Sequence, residues 1–198
     1  MNILLIYCHP DPNSYGATLA GVARKALEAN GHTVKFVDLY AEGFNPVFSL
    51  EEKTNYLPNT AYNLGLVKPY VDALQWAEGF IVYYPTWYYG PPAMLKGWLD
   101  RVWLPGVSFG VPKRKGERAQ GKLKNIRLFV GITTSGSPWW WLRLIRDPGR
   151  NMFMRGFRPL YSLGCKMQWL QLHNMNNTTL TEREKFVVKV QNAMQKIR

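Results

Sequence analysis

Residues 2–39 read NILLIYCHPDPNSYGATLAGVARKALEANGHTVKFVDL. The apolar run at residues 2–8 predicts a buried first strand, which ends because the following prolines, Pro10 and Pro12, cannot continue strand pairing. Apolar residues from Leu19 to Leu27 recur at helical spacing, and Asn30-Gly31 supplies a left-handed helix stop. Apolar and polar residues alternate over residues 32–39, which predicts a second strand. This β-helix-β order indicates a parallel sheet with a right-handed crossover.

The same alternation of strands and helices continues along the chain. We predict a helix at residues 66–76, a strand at 80–84, a helix from the Pro91-Pro92 pair to about residue 103, a polar loop at 105–125, strands at 126–132 and 167–172, and a last helix begun by a capping box over residues 181–184. Five strands alternating with helices predict an α/β fold, with a doubly wound five-stranded parallel sheet and helices on both faces. We expect one domain over residues 1–198.

Composition limits the class of protein. With 198 residues and 46% hydrophobic content, the chain can bury one substantial core. The first apolar run is too short for a signal peptide or a membrane span, so we expect a soluble, cytoplasmic protein. Cys8 and Cys165 lie in apolar stretches and are expected to be reduced core thiols. The three histidines are scattered without ligand-like spacing, so we expect no metal site.

The positive charge is concentrated in one part of the chain. Residues 96–166 hold 15 Lys and Arg against three Asp and Glu, which accounts for the whole net charge of +12. Such a segment indicates either ordinary solvated charge or a face that meets phosphates, an anionic lipid surface or an acidic partner. No nucleic-acid recognition motif accompanies this charge, so we expect no specific nucleic-acid partner.

In a doubly wound sheet the ligand lies at the carboxyl ends of the strands, so three loops are candidates for binding. The first loop places hydroxyls, an amide and a glycine at the start of a helix, where backbone N–H groups and the helix dipole favour an anion. An ordinary helix capped by Ser14 or Asn13 explains the same residues. The absence of G-x-G-x-x-G and of a Walker A motif favours the single phosphate of a flavin mononucleotide over a dinucleotide.

The second and third candidate loops follow the predicted strands at 80–84 and 126–132. Residues 83–92 read YYPTWYYGPP, and this many aromatic rings in a loop indicates a flat surface for a flat ligand. Residues 133–137 read TTSGS, which again joins hydroxyls and glycine to a strand end and supplies donors for carbonyls or ring nitrogens.

The sequence resembles the flavodoxin-like NAD(P)H:quinone oxidoreductases and the related ancillary proteins of bacterial potassium efflux systems. The resemblance rests on His9-Pro10 with Ser14-Tyr15, Asp38-Leu39-Tyr40 with Phe44-Asn45-Pro46, Pro85-Thr86-Trp87-Tyr88 with Pro92-x-x-Leu95-Lys96-Gly97-Trp98-x-Asp100-Arg101-Val102, and Ile132-Thr133-Thr134-x-Gly136. It implies a non-covalent FAD or FMN, NAD(P)H as co-substrate, and a homodimer with the active site at its interface.

The resemblance also assigns residues to this flavin. The phosphate end would be held by the first loop, the isoalloxazine would be bordered by the second, and its polar edge would meet the third. The mechanism it implies has two half-reactions in one pocket, with the electrons carried by the cofactor. Trp87 and Tyr88 are the candidate substrate platform, with Phe109 contributing across the dimer. The cofactor-binding candidates are His9, Ser14, Tyr15, Gly16, Thr18, Pro85, Thr86, Trp87, Tyr88, Thr133, Thr134, Ser135, Gly136 and Trp141.

One segment departs from the family pattern. Studied members carry a tyrosine and a histidine after the third loop that help to balance charge on the flavin. Here residues 138–147 read PWWWLRLIRD, in which Trp141 falls near the tyrosine position and no histidine is present. Arg143 or Arg146 could take over the charge role.

Two other functions fit the same sequence. An electron-carrier flavodoxin would share the fold and cofactor, but such carriers are as a rule acidic and lack the Leu95-Lys96-Gly97-Trp98 segment. A flavin-binding regulatory subunit of a membrane transporter is the other. Tryptophans interleaved with arginines over residues 139–158 resemble a segment for weak peripheral membrane contact, although a helix packed on the flavin or the dimer interface would look the same.

Overall fold

The computed structural model describes residues 1–112 and 114–198, and its strands form one sheet in the order β2-β1-β3-β4-β5. All four strand pairings are parallel. The chain runs from β1 outward to β2 and then returns to the other side of β1, so the direction of winding reverses between β1 and β3. The doubly wound parallel sheet is therefore confirmed. The strands are β1 (Asn2–Tyr7), β2 (Thr33–Asp38), β3 (Gly79–Pro85), β4 (Leu128–Thr134) and β5 (Lys166–Leu172).

Helices cover both faces of the sheet. Leu19 and Leu27 of the first helix and Phe186 and Val190 of the last belong to one buried cluster, and Trp98 belongs to the cluster on the opposite face. No helix among the described residues is both long and apolar enough to cross a membrane. The helices are α1 (Tyr15–Ala29), α2 (Leu50–Asn55), α3 (Thr60–Trp76), α4 (Ala93–Val102), α5 (Trp139–Leu144), α6 (Pro148–Asn151) and α7 (Leu180–Gln195), with a π-helical turn at Met152–Gly156.

The central strands form the middle of the core. Every residue of β3 and β4 is buried, whereas burial alternates along much of the edge strands β2 and β5. Gly131 of β4 has no room for a side chain, because a Cβ there would lie 2.1 Å from the ring of Trp169 on β5. The Trp169 ring therefore lies across the neighbouring strand and contacts the rings of Tyr84 and Phe153.

The starts of α7 and α4 differ from the predicted ones. The capping box of α7 joins Thr179 and Glu182, not residues 181 and 184: Thr179 Oγ1 accepts from Glu182 N at 3.2 Å, and Glu182 Oε2 accepts from Thr179 N at 2.7 Å. Two overlapping T-x-x-E patterns are present, and the second lies inside the helix. Pro92 is the N-cap of α4 with an extended ψ of 155°, so the proline pair precedes this helix instead of forming its first turn.

The stretch at residues 41–63, which lacks helical apolar spacing, nevertheless contains α2 and the start of α3. A capping box between Ser49 and Glu52 begins α2. Glu52 is buried and accepts from Arg101 Nε of α4 at 2.6 Å, so a polar contact secures this helix in place of an apolar stripe. α3 runs through Pro69 with a kink at Val67, where φ is −125°.

Candidate functional site

A cavity of about 400 Å³ lies at the carboxyl ends of β1, β3, β4 and β5, and we call it the strand-end cavity. It brings together residues from all three loops that the sequence singled out, and it adds residues that follow β5. Its lining consists of His9, Ser14, Tyr15, Gly16, Tyr83, Pro85, Thr86, Trp87, Thr134, Ser135, Gly136, Met175 and Asn176.

The first loop forms the N-terminal end of α1 at this cavity. Ser14 is the N-cap, since its Oγ accepts from Ala17 N at 3.1 Å and lies 3.1 Å from Tyr7 Oη. The N–H groups of Tyr15 and Gly16 fall in the first helical turn, where the helix itself offers no acceptor. The capped helix is therefore confirmed, and the same turn presents free donors and a positive dipole end to the cavity.

Gly16 is required by close packing against the floor of the cavity. A Cβ at this position would lie 2.3 Å from Tyr83 Oη, on a ring that is almost fully buried. Burial raises the pKa of Tyr83 well above its ordinary value, and burial also raises the pKa of Tyr15 to about 12. Both phenols therefore keep their protons at neutral pH and act as neutral hydrogen-bonding groups.

The aromatic loop is a tight turn fastened to β4. Thr86 N donates to Thr134 O at 2.8 Å, and Trp87 and Gly90 exchange two backbone hydrogen bonds of 3.0 Å. Tyr88 and Tyr89, at the tip of this turn, have φ values of 45° and 64°. Trp87 lines the cavity with 44% of its surface exposed, whereas Tyr88 is fully exposed and is not part of the lining.

The third loop contributes Thr134, Ser135 and Gly136 to the lining, but not Thr133. The Thr133 side chain is fully buried: its Oγ1 donates to Tyr84 O at 2.7 Å and lies 2.9 Å from Thr86 Oγ1. Thr133 therefore positions the aromatic loop without facing the cavity.

Several predicted site residues lie elsewhere in this structure. Thr18 is on the exposed side of α1. Phe109 lies in a separate apolar cavity of about 530 Å³, with Trp103 and Phe157. Trp141 does not line the strand-end cavity, but its Nε1 donates to Tyr89 Oη at 3.1 Å, which links α5 to the aromatic loop.

Arg143 and Arg146 line a third cavity, of about 580 Å³, which we call the basic cavity. The segment at 138–147 contains no histidine, but the fold brings His173 from the end of β5 to the same cavity, together with Asp147. Burial lowers the pKa of His173 and raises the pKa of Asp147. A histidine is thus near these arginines, contrary to the expectation from the local sequence, because residues distant in the chain meet beside β5.

Sequence reasoning did not assign Tyr83, Met175 or Asn176 to the site, although Tyr83 begins the quoted aromatic stretch. Tyr83 lies inside a strand that is buried throughout, so nothing in the sequence separates it from a core residue. Met175 and Asn176 follow the last strand, where no glycine or hydroxyl cluster marks a binding loop; Met175 N donates to Ser135 O at 2.9 Å and thereby joins this segment to the third loop. Cys8 and Cys165 are free and buried, as predicted, and burial raises the pKa of Cys8 to about 12.

The sequence profile of a family described as having a flavodoxin-like fold matches residues 1–197. The chain belongs to this flavodoxin-like family. A protein of Escherichia coli named as an uncharacterised NAD(P)H oxidoreductase is 30% identical to this flavodoxin-like chain over 152 residues, which are 76% of the chain and 75% of the relative. A ribosyldihydronicotinamide dehydrogenase-like protein of Penicillium crustosum is 32% identical over 69% of the chain. The chain spans 58% of the length of that relative.

Solved structures show the same flavodoxin-like architecture. A crystal structure of a Streptococcus mutans protein has a TM-score of 0.83 and 27% identity, and covers 100% of both chains. An NAD(P)H:quinone oxidoreductase of Methanothermobacter marburgensis has a TM-score of 0.82 at 21% identity, over 100% of this chain and 99% of its own. The second likeness concerns the fold alone.

Proposed function

We propose that this chain is a flavin-dependent NAD(P)H dehydrogenase that passes two electrons to a quinone or a similar acceptor. One observation carries the proposal: the N-terminal end of α1, the aromatic loop and the hydroxyl-rich third loop meet around one cavity at the switch point of the sheet. Relatives whose names denote NAD(P)H oxidoreductase or ribosyldihydronicotinamide dehydrogenase activity support it.

The donor set of the strand-end cavity fits a flavin. The first-turn N–H groups of Tyr15 and Gly16 and the dipole of α1 would hold its phosphate. The indole of Trp87 would border its rings, and the loop at Thr134–Gly136 would donate to its polar edge. Only a glycine at position 16 permits the close approach of the α1 backbone to Tyr83, which places the first turn of this helix against the floor of the cavity.

The chemistry that a bound flavin would supply is two-electron transfer between the nicotinamide and the acceptor. The protein would contribute orientation and stacking, because none of its own side chains needs to act as a nucleophile. The side chain of Trp87 is exposed enough to contact both flavin and acceptor, and the neighbouring Tyr88 side chain is fully exposed. We therefore assign the acceptor platform to this turn.

The proposed homodimer is supported by the surface near Phe109. This ring lies in the apolar cavity with Trp103 and Phe157, away from the strand-end cavity of its own chain, so it would reach a flavin only across a dimer. Val47, Leu50 and Leu57 are exposed apolar side chains on the segment around α2. Sedimentation equilibrium tests the proposal: twice the chain mass supports it, and a monomer at micromolar concentration contradicts it.

Visible spectroscopy provides the decisive experiment. The purified chain is incubated with excess FMN or FAD, freed of unbound flavin by gel filtration, and mixed anaerobically with NADH or NADPH before a quinone is added. We expect retained yellow colour, bleaching by the nicotinamide nucleotide and recovery with quinone. A chain that stays colourless with both flavins refutes the proposal, and bound flavin that NAD(P)H does not bleach favours an electron carrier instead.

A further inference from the structure

The charged side chains that line the basic cavity are mostly positive. It lies between α5, α6 and β5, with α7 contributing one residue, and Asp147 is the only acidic side chain among the described residues that line it. Five cations surround this single carboxylate: Arg143, Arg146, Arg150, Arg155 and Lys189. Like charges gathered around one concavity raise the local concentration of anions.

Among the residues that the structure describes, these cations form no ion pair. The ion pairs among the described residues involve other side chains, and none includes the four arginines or Lys189. Lys189 lies over the ring of Phe186 at 5.9 Å, and Asp147 accepts from the backbone N–H of Arg150 at 3.2 Å as the cap of α6. The guanidinium groups therefore keep their planar sets of donors available.

Two buried polar groups at the same cavity also lack partners. Trp169 Nε1 donates to Gln171 Oε1 at 2.9 Å, which leaves the amide nitrogen of Gln171 as a buried donor without an acceptor. His173 Nδ1 is likewise buried and without a partner. Because buried polar groups are usually satisfied, these two indicate a ligand that supplies hydrogen-bonding atoms.

We propose that the basic cavity binds a phosphate group. Guanidinium groups match phosphate oxygens with paired hydrogen bonds, and the Gln171 amide adds a neutral donor at the edge strand. The site adjoins the strand-end cavity: His173 is two residues from Met175, and Gly149 N donates to Tyr89 O of the aromatic loop at 2.8 Å. The phosphate could belong to a soluble nucleotide or to a lipid headgroup, since both present the same oxygens.

Isothermal titration calorimetry of the full chain with pyrophosphate, at constant ionic strength, tests the site without requiring flavin or turnover. Its result is therefore independent of the flavin proposal. The cavity variant is Arg150→Gln/Arg155→Gln. The control variant, Lys25→Gln/Lys35→Gln, removes the same charge from exposed positions on α1 and β2. We expect saturable binding that the cavity variant weakens about tenfold or more and the control leaves nearly unchanged.

Two further arms identify the source of the phosphate. NADP⁺ is compared with NAD⁺ by calorimetry, and phosphatidic acid vesicles with phosphatidylcholine vesicles by sedimentation. Preferential binding of NADP⁺ that is lost in the cavity variant supports a nucleotide. Binding to phosphatidic acid vesicles alone, with the same loss, supports a lipid headgroup. No saturable binding in any arm, or equal weakening in the cavity and control variants, overturns the proposal.

Discussion

Trp141 donates its indole N–H to the phenolic oxygen of Tyr89 at 3.1 Å, which ties the segment at 138–147 to the aromatic loop. Tyr89 has a positive φ of 64°, so this loop holds an uncommon backbone conformation. The Trp141 hydrogen bond and the Gly149 N–H to Tyr89 O bond both act on the same residue. Residues 138–147, which depart from the family pattern, therefore stabilise the loop that would border the flavin.

Removing that support should weaken flavin binding. Tyr89→Phe deletes the acceptor for Trp141 and should cost about 0.5–1 kcal/mol of stability, because the bond is neutral and partly exposed. Tyr88→Phe is the matched control, because it removes a fully exposed hydroxyl and keeps the ring that is assigned to the acceptor platform. Flavin dissociation constants measured by fluorescence quenching should rise only for Tyr89→Phe; equal constants for both variants would show that the bond does not position the loop.

Gly16→Ala should damage the strand-end cavity directly. The new Cβ would meet Tyr83 Oη at 2.3 Å, and overpacking of this kind costs about 1–3 kcal/mol. Gly21→Ala on the same helix is the control, because a Cβ there has nothing within 4 Å and should be neutral or stabilising. Urea denaturation and flavin titration together report the outcome. Wild-type affinity and stability in Gly16→Ala would contradict the assigned close packing.

The acceptor platform is tested by kinetics. Trp87→Ala/Tyr88→Ala should lower kcat/KM for quinones about tenfold or more, with flavin content largely retained, because the rings orient the acceptor. Trp76→Ala serves as control, since Trp76 is another partly exposed tryptophan but ends α3 at the amino ends of the strands, where its carbonyl accepts from the Asn2 side chain. Unchanged kinetics in the double variant would remove both rings from the substrate site.

Stability should fall on mild acidification because of His173. Burial lowers the pKa of this imidazole from its ordinary value of 6.5; Lys189 adds to the effect and Asp147 opposes it. The unfolded chain therefore holds the proton more firmly, so the contribution is fully present above about pH 6.5 and is lost as the pH falls through the folded value. In His173→Asn, the drop in unfolding free energy between pH 7 and pH 5 should be smaller than in wild type. Parallel drops in urea titrations would contradict this.

Exposed rings on α5 give a prediction about membranes. Trp139 and Trp140 are 63% and 55% exposed on the helix that also carries Arg143, and the weak peripheral contact expected of this segment stays a prediction. Wild type should sediment with anionic vesicles and be released by salt. Trp139→Ser/Trp140→Ser should sediment less, whereas Trp76→Ser should not differ from wild type. Equal, negligible sedimentation with anionic and neutral lipid would assign these rings to a protein contact instead.

The sheet could be predicted because its signals are local. β1, β3 and β4 are apolar runs bounded by proline, glycine or hydroxyl residues, and the order of strands and helices alone indicates a parallel sheet. α2 escaped prediction because Glu52 and Arg101, distant in sequence, secure it through a buried ion pair. The site was predictable as three loops, but Thr133 could not be told from its neighbour Thr134: alternation along β4 decides which of them faces the cavity.

The basic cavity could not be predicted from the sequence for a related reason. It is lined by His173, Gln171 and the four arginines. Each residue type is ordinary in its own stretch of sequence, and only the packing of α5 and α6 beside β5 brings them to one cavity. A search for spaced motifs would not find such a group, because its members are separated by loops of arbitrary length.

The strand-end cavity is assembled from four separate strand ends, and this has a consequence for heat resistance. A ligand that contacts all four strand ends can bind only the folded chain. Each tenfold rise in free flavin concentration above its dissociation constant should therefore add about 1.4 kcal/mol to the free energy of unfolding. Melting curves recorded across a flavin dilution series would then measure cofactor affinity in unpurified samples, without any catalytic assay.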